Sequence, residues 1–397
     1  MNQKTFYEFF AGGGMARCGL GPNWSCLFAN DFDEAKAQSY RSFFRASREL
    51  TVKDIALLGS ADVPGVADLA WASFPCQDLS LAGSGAGLKG ERSGAFWPFW
   101  RIMEELAAEE RSPKVIALEN VCGTLTSHGG MDFSAICLAF AELGYRVGAL
   151  TVDAKYFVPQ SRPRLFVIGI RTDVVLNPRL HVGGPIALWH SPAIVAAAAR
   201  LPRKMADSWV WWSMVPPPLR RTTFADIVED NPNGVNWHTR KETQRILEMM
   251  SDVNRAKVRA AMRSKTRIIG GVYKRTRVDS EGKRVQRAEV RFDDVAGCLR
   301  TPAGGSSRQT VLVVDGPKIR SRLLSPREAA RLMGLPDNYE LPSNYNAAYH
   351  LAGDGVVVPV VQYLATQLLE PILEWGSDNP LRTKQSRAKY RARVAVA

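Results

Sequence analysis

A cysteine at the mouth of a loop is either a small inert residue or a nucleophile, and Cys76 in "LAWASFPCQDLSLAG" leaves both open. Pro75 fixes the backbone directly before the thiol. The following "SLAGSGAGLKGERSG" is too polar and glycine-rich to pack, and reads as a lid. Glu119 closes the apolar run "KVIALENV", where a carboxylate is expensive unless paired or used, and burial there would let it hold a proton. Arg162 and Arg164 in "PQSRPRLF" stand two apart entering a strand, which predicts one shared face. Such a pair suits an anion or a carbonyl; two surface ion pairs are the plainer alternative. In "EFFAGGGMARCG", Gly12, Gly13 and Gly14 lie between strand-like and helix-like sequence, where backbone can approach a ligand closely or simply turn. Asp31 ends the next apolar run, so it can accept from the two hydroxyls of an adenosine ribose or cap the helix behind it.

These residues need a frame. "KTFYEFF", "SCLFAND", "ADLAWASF", "KVIALENV", "RVGALTVDA" and "RPRLFVIGIR" read as strands. Between the first four and before the fifth lie helix-like segments, among them "DEAKAQSYRSFFRAS", "AFWPFWRIMEELAAEE" (interrupted only near its start by Pro98) and "DFSAICLAFAELG", with Gly144 as its stop. The alternation predicts an α/β fold with a doubly wound parallel sheet, whose ligands gather at the carboxyl ends of the strands. "AGGG", Asp31, Cys76 and "ENV" all fall at such ends. After about residue 185 the rhythm fails, through "VPPPLRR" and a basic stretch. It returns at "SPREAARLMGLPDNY", with Ser325 as N-cap, Pro326 at the first helical position and Glu328 closing a capping box.

The chain has 397 residues, 46% hydrophobic and 23% charged, which is long for one core and predicts a large domain plus a smaller one. No uninterrupted apolar run approaches the roughly 20 residues of a bilayer span. The N-terminus moves straight into strand-like sequence without a signal-peptide pattern, so a cytoplasmic protein is expected. The six cysteines are scattered without a Cys-x-x-Cys pair, which argues against a zinc site or a disulfide framework. The formal charge of +13 concentrates between 255 and 291, where glycines and aromatics interleave with Lys and Arg; a nucleic acid is the partner this favours.

Taken together and in order, the motifs resemble those of the DNA (cytosine-5) methyltransferases. "EFFAGGGMARCGL" is similar to the first motif of that family, "FPCQ" to its nucleophile motif, and Glu119-Asn120-Val121 to its ENV. Gln160, Arg162 and Arg164 match its Q-x-R-x-R, while "LRTPAGGSSRQT", "RLLSPREAARLMGLPD" and "GDGVVVPVV" resemble its late motifs. The resemblance implies a Rossmann-like S-adenosylmethionine-binding domain at 1–185 completed by 351–380, a target-recognition domain with its supporting motif at 186–350, and a basic tail at 381–397. It implies Cys76 as nucleophile on a flipped cytosine, Glu119 on the ring N3 and amine, Arg164 on O2 and Arg162 organising the pocket. The cofactor would meet Phe10, Ala11, Gly12, Gly14, Asp31, Phe32, Asp54 and Asp354. Double-stranded DNA would meet Gln77, Ser80, Arg92 and Ser93 of the lid, and Arg275 and Arg277 of the basic stretch, with no role for a metal. A monomer is expected, with a restriction endonuclease as an optional partner.

Two departures stand out. Glu8 occupies a position where the family commonly has aspartate, and "GDG" at 353–355 stands where it usually has G-N-[SA]. Asp354 is either a surface-facing variant, the simpler reading, or a residue that alters cofactor affinity or the group transferred. The other readings of the whole chain are a tRNA cytosine-5 methyltransferase and a catalytically silent DNA-binding protein. The size of the basic segment speaks against the first, and the intact Cys76, Glu119, Arg162 and Arg164 set against the second.

Overall fold

The computed structural model describes residues 3–45, 47–75, 95–205, 207–278, 282–300 and 308–377. The chain forms two compact units, Met1–Val152 with Pro163–Pro217 and Val358–Ala397, and Asp153–Arg162 with Pro218–Val357.

The larger unit carries β1 (Lys4–Phe9), α1 (Met15–Leu20), β2 (Trp24–Asp31), α2 (Glu34–Phe43), β3 (Leu50–Val52), β4 (Leu69–Ala72), α3 (Phe96–Ala108), β5 (Val115–Asn120), α4 (Met131–Glu142), β6 (Tyr145–Asp153), β7 (Pro163–Arg171), β8 (His181–Val182), α5 (Pro192–Ala199) and β9 (Trp211–Trp212). Its seven-stranded sheet has the order β3-β2-β1-β4-β5-β7-β6. β1, β2, β3, β4 and β5 pair in parallel. β4 is laid on the opposite side of β1 from β2, so the order reverses there and leaves a crevice at the carboxyl ends. β3 falls in "LTV", too short a run to show periodicity.

The expected doubly wound sheet is thus parallel from β3 to β5, and one strand departs from that order: β7 runs antiparallel to β5. The reason is the connection. Only residues 154–162 separate β6 from β7, too few for the crossover of a dozen or more residues that a parallel neighbour needs.

Both faces of the sheet are covered, which is why β4 and β5 read as continuous apolar runs. α3 buries Phe96, Phe99, Trp100, Met103, Leu106 and Ala107, a helical stripe against the sheet. Pro98 does not break α3, because it lies in the first turn, where its missing N–H has no intrahelical partner to lose. Gly144 ends α4 region as expected, with φ 80°. The unit runs past the expected limit of 185. Ile194, Ala197 and Met205 belong to the same core as Phe133 and Ile136, and Val147 N–H donates to the Ser208 carbonyl at 2.7 Å.

The smaller unit carries α6 (Phe224–Ile227), α7 (Arg240–Glu248), α8 (Asp252–Met262), β10 (Ile268–Val278), β11 (Arg284–Arg291), β12 (Thr310–Asp315), β13 (Lys318–Leu323), α9 (Pro326–Leu332) and α10 (Tyr345–Asp354). The chain returns to the larger unit with α11 (Val358–Leu364) and α12 (Glu370–Ser377). β10 to β13 form an antiparallel sheet of order β11-β10-β12-β13. Val272, Ala288, Val290, Leu312 and Val314 of this sheet pack with Ile246, Met250, Val258 and Ala261 of the α7–α8 region. The stretch Tyr345–Trp375 is long and apolar enough to cross a membrane by length and composition, and 61% of its most apolar window is buried in the fold. It is interrupted at residues 355–357, between α10 and α11.

α9 starts as its sequence predicts. Ser325 Oγ accepts from Glu328 N–H at 3.2 Å while Glu328 Oε2 accepts from Ser325 N–H at 2.8 Å. The same carboxylate takes both ends of the Arg322 guanidinium, at 2.6 and 2.8 Å, and both side chains are wholly buried. Arg322 also donates to the Glu229 carbonyl at 2.6 Å. Removing one partner strands the other charge without water. Glu328→Ala is therefore expected to destabilise the protein by about 3–5 kcal/mol, read as a lowered urea midpoint; an unchanged midpoint contradicts it.

Candidate active site

The sheet brings the carboxyl ends of β1, β2, β4 and β5 to one edge. Phe9 is in register with Ala72, and Ala72 with Leu118. Beyond β1 the backbone leaves the extended region at once. Phe10 has φ 58°, an unfavourable value for an aromatic residue, followed by Gly12 at 53° and Gly14 at 76°. Gly14 is obligatory, since a Cβ there would collide with the Phe44 and Tyr40 rings.

Asp31 holds this turn. One carboxylate oxygen accepts from Gly12 N–H at 2.7 Å and the other from Asp33 N–H at 2.9 Å. Burial pushes its pKa up, against those two donors. The helix cap behind it is Asp33, whose carboxylate accepts from Ala35 and Lys36 N–H, so capping is not what Asp31 does. Phe32 is 70% exposed, outside the core. Ala11 is buried. Asp54 is exposed and caps the short turn Ile55–Leu57 by accepting from Ala56 N–H at 2.9 Å.

At β5, Glu119 is 6% exposed and meets the Arg164 Nε of β7 at 3.2 Å. The buried carboxylate is thus paired, and its partner's side chain is 15% exposed, at the rim. Asn120, quoted only as part of a motif, earns a place the sequence did not assign it. Its Nδ2 donates to the Phe74 carbonyl at 3.3 Å while its Oδ1 accepts from Val121 N–H at 2.8 Å. The end of β5 thereby fixes the backbone two residues before Cys76. An amide beside a buried carboxylate at a strand end was the available signal. Cys76, Gln77, Ser80, Arg92 and Ser93 lie outside the described residues.

Three other thiols, Cys18, Cys26 and Cys137, are poor candidates for a nucleophile. Burial pushes Cys18 and Cys26 up to about 12 and raises Cys137 as well. Among the described residues no cluster of His, Cys, Asp and Glu is arranged to hold a metal.

Arg162 precedes β7, so the strand alternation from which one face with Arg164 was expected does not govern it, and it belongs to the smaller unit. Only 2% exposed, it donates to the carbonyls of Leu299, Gly353 and Gly355 at 2.8, 2.8 and 2.9 Å. Gln160 beside it is fully buried and bridges Leu299 N–H, at 3.0 Å, and the Leu332 carbonyl, at 2.8 Å. These side chains tie the late motifs together. Asp354, between the two glycines that Arg162 holds, is exposed at the last residue of α10. Arg275 and Arg277 lie on exposed β10 positions, and both approach Glu289, at 3.7 and 2.5 Å.

The family model described as C-5 cytosine-specific DNA methylase matches residues 4–370. Type II methyltransferase M.BsuFI of Bacillus subtilis is 26% identical over 93% of this chain and 73% of its own. Type II methyltransferase M.HpaII of Haemophilus parainfluenzae is 26% identical over 93% of this chain and 90% of its own. Among solved structures, the S. pombe Dnmt2 methyltransferase superposes with a TM-score of 0.57 at 16% identity, over 93% of this chain and 99% of its own, which is a likeness of fold.

Glu8, within β1, is 1% exposed, and burial pushes its carboxyl up to about 8. Its Oε1 accepts from Arg17 N–H at 3.2 Å, and its Oε2 has no hydrogen-bond partner among the described residues. From an ordinary value of 4.5 up to about 8, the folded chain holds a proton that the unfolded chain has lost. Stability is therefore greatest below the lower value and falls as pH rises through this window, by up to about 1.4 kcal/mol per pH unit. Thermal melting between pH 5 and 8.5 should show a shallower decline for Glu8→Gln than for the wild type; parallel declines contradict this.

Proposed function

Because the chain belongs to the C-5 cytosine-specific DNA methylase family, we infer that Cys76, Glu119 and Arg164 carry out its reaction, that Asn120 positions the nucleophile, and that Arg162 braces the late motifs. The enzyme is a DNA (cytosine-5) methyltransferase that uses S-adenosylmethionine and acts on double-stranded DNA. The observation that carries the assignment of roles is the end of β5. There Glu119 meets Arg164 at 3.2 Å while its neighbour Asn120 anchors the Phe74 carbonyl, just ahead of Cys76.

Carbon 5 of cytosine is a weak nucleophile within an aromatic ring. A thiolate from Cys76 added at carbon 6 breaks that aromaticity and gives carbon 5 enamine character, and sulfur leaves readily afterwards. Glu119, buried and facing the Arg164 guanidinium, would hydrogen-bond N3 and the exocyclic amine of the base. Arg164 would donate to O2. The base must leave the duplex to reach these groups, at a cost of a few kcal/mol in stacking and pairing. The lid residues Gln77, Ser80, Arg92 and Ser93 would close over it.

The glycine turn fits the cofactor. Gly12 and Gly14 open the backbone, Asp31 offers a buried carboxylate to a ribose, and Phe32 an exposed ring to an adenine; Phe10, Ala11 and Asp54 complete the set. When bound there, S-adenosylmethionine supplies an electrophilic sulfonium methyl group. We place the smaller unit's residues 218–357 as the target-recognition part, acting as a monomer on nucleoid DNA, with a restriction endonuclease as an optional partner.

A duplex containing 5-fluorocytosine blocks release of the enzyme, because the C5 proton that must depart is replaced. With cofactor, the wild type should form a covalent adduct stable to denaturing electrophoresis, and Cys76→Ala should form none. No adduct from the wild type on any duplex, genomic DNA included, overturns the reading. Asn120→Ala loosens the backbone before the nucleophile, so methyl transfer should slow by about 10²-fold with cofactor affinity retained. Unchanged turnover would remove Asn120 from the positioning role.

A further inference from the structure

β10 outruns its sheet. β12 pairs with it only from Ile268 to Val272, whereas β11 accompanies it from Gly271 to Val278. Residues 273–278 and 284–289 therefore make a two-stranded ribbon, roughly 17 Å long at the rise of an extended chain. Its two faces differ. Val272, Ala288 and Val290 share the face that packs on the α7–α8 core. Tyr273, Arg275 and Arg277 share the other with Val285, Arg287 and Glu289, by direct register.

On that outer face Arg275 and Arg287 stand directly opposite each other, an arrangement that like charge disfavours. Three arginines face one carboxylate. Glu289 takes Arg277 Nε at 2.9 Å and lies 3.7 Å from Arg275 Nε, and Arg287 has no ion pair among the described residues. The Arg275 guanidinium also rests over the Tyr273 ring, two residues back on the same strand face, 4.7 Å from its centre. The surplus charge calls for an anionic partner. The shape calls for a groove: the major groove of B-DNA, about 12 Å wide, admits a two-stranded ribbon, and an arginine there pairs with O6 and N7 of guanine through two hydrogen bonds.

We propose that this ribbon face enters the major groove and that Arg275 and Arg287 read guanines of the recognition sequence, with Glu289 orienting Arg277. The assignment rests on the DNA methyltransferase reading and names the element that selects its sequence. It gives Arg275 a base contact and not a phosphate contact, because phosphate binding needs no opposed pair on one ribbon face.

The test is the methylated motif itself. Wild type, Arg275→Lys, Arg287→Lys and Arg287→Ala are expressed in cells lacking cytosine methylation, and their DNA is read by bisulfite sequencing. Lysine keeps the charge but loses the paired geometry, and these exposed sites tolerate it without unfolding. Each substitution should relax one guanine-containing base pair of the motif, lowering discrimination there about tenfold or more, while the rest of the motif persists. A uniformly lower yield at an unchanged motif would mean phosphate contact only and overturns the proposal, as does an unaltered methylome. If the wild type leaves no 5-methylcytosine, the methyltransferase reading falls and the ribbon assignment with it.

Discussion

The hydrogen bond from Asn120 to the Phe74 carbonyl ties the end of β5 to the segment that follows β4, and the roles proposed for Cys76, Glu119 and Arg164 depend on it. Strands alone bring the ends of β4 and β5 close, but β4 stops at Ala72, and beyond it Ser73 N–H still donates to the Phe9 carbonyl of β1 at 3.4 Å. The Asn120 amide adds a buried tie one residue further on. The adjacent Glu119 faces Arg164 on β7, whose antiparallel course brings an arginine from the amino end of one strand beside the carboxyl end of another. A parallel β7 would have presented its far end instead.

The glycine turn after β1 shows the same economy. Asp31 accepts a backbone N–H from the turn with one oxygen and from its own following residue with the other, so the carboxylate shapes the loop before any ligand arrives. Glu8 does the equivalent for the start of α1 through Arg17 N–H. Both carboxyls are buried and both are pushed toward the protonated form, a strain on the fold that persists because the loop needs acceptors where water cannot reach.

In the smaller unit, buried arginines act as braces. Arg162 gathers three backbone carbonyls from two distant segments, and Arg322 gathers a carboxylate and a carbonyl. Surface arginines such as Arg275 and Arg277 share Glu289 in a solvated pair that contributes little to stability and yields easily to another anion. Burial, more than residue type, separates the structural arginines from those available to a partner.

Much of this was already determined by the amino-acid order. Strand–helix alternation, the capping box at Ser325–Glu328 and the ordered motifs around Cys76, Glu119 and Arg164 follow from local periodicity and side-chain chemistry, which act within a few residues. Tertiary structure alone decided where Arg162 points, because its acceptors are backbone carbonyls more than 130 residues away and a carbonyl has no sequence signature. It alone decided that β7 turns back, that residues 186–217 complete the larger core, and that the basic stretch forms a paired ribbon with one charged face. Pairing register and long-range hydrogen bonds are properties of two segments at once, and no reading of either segment by itself contains them.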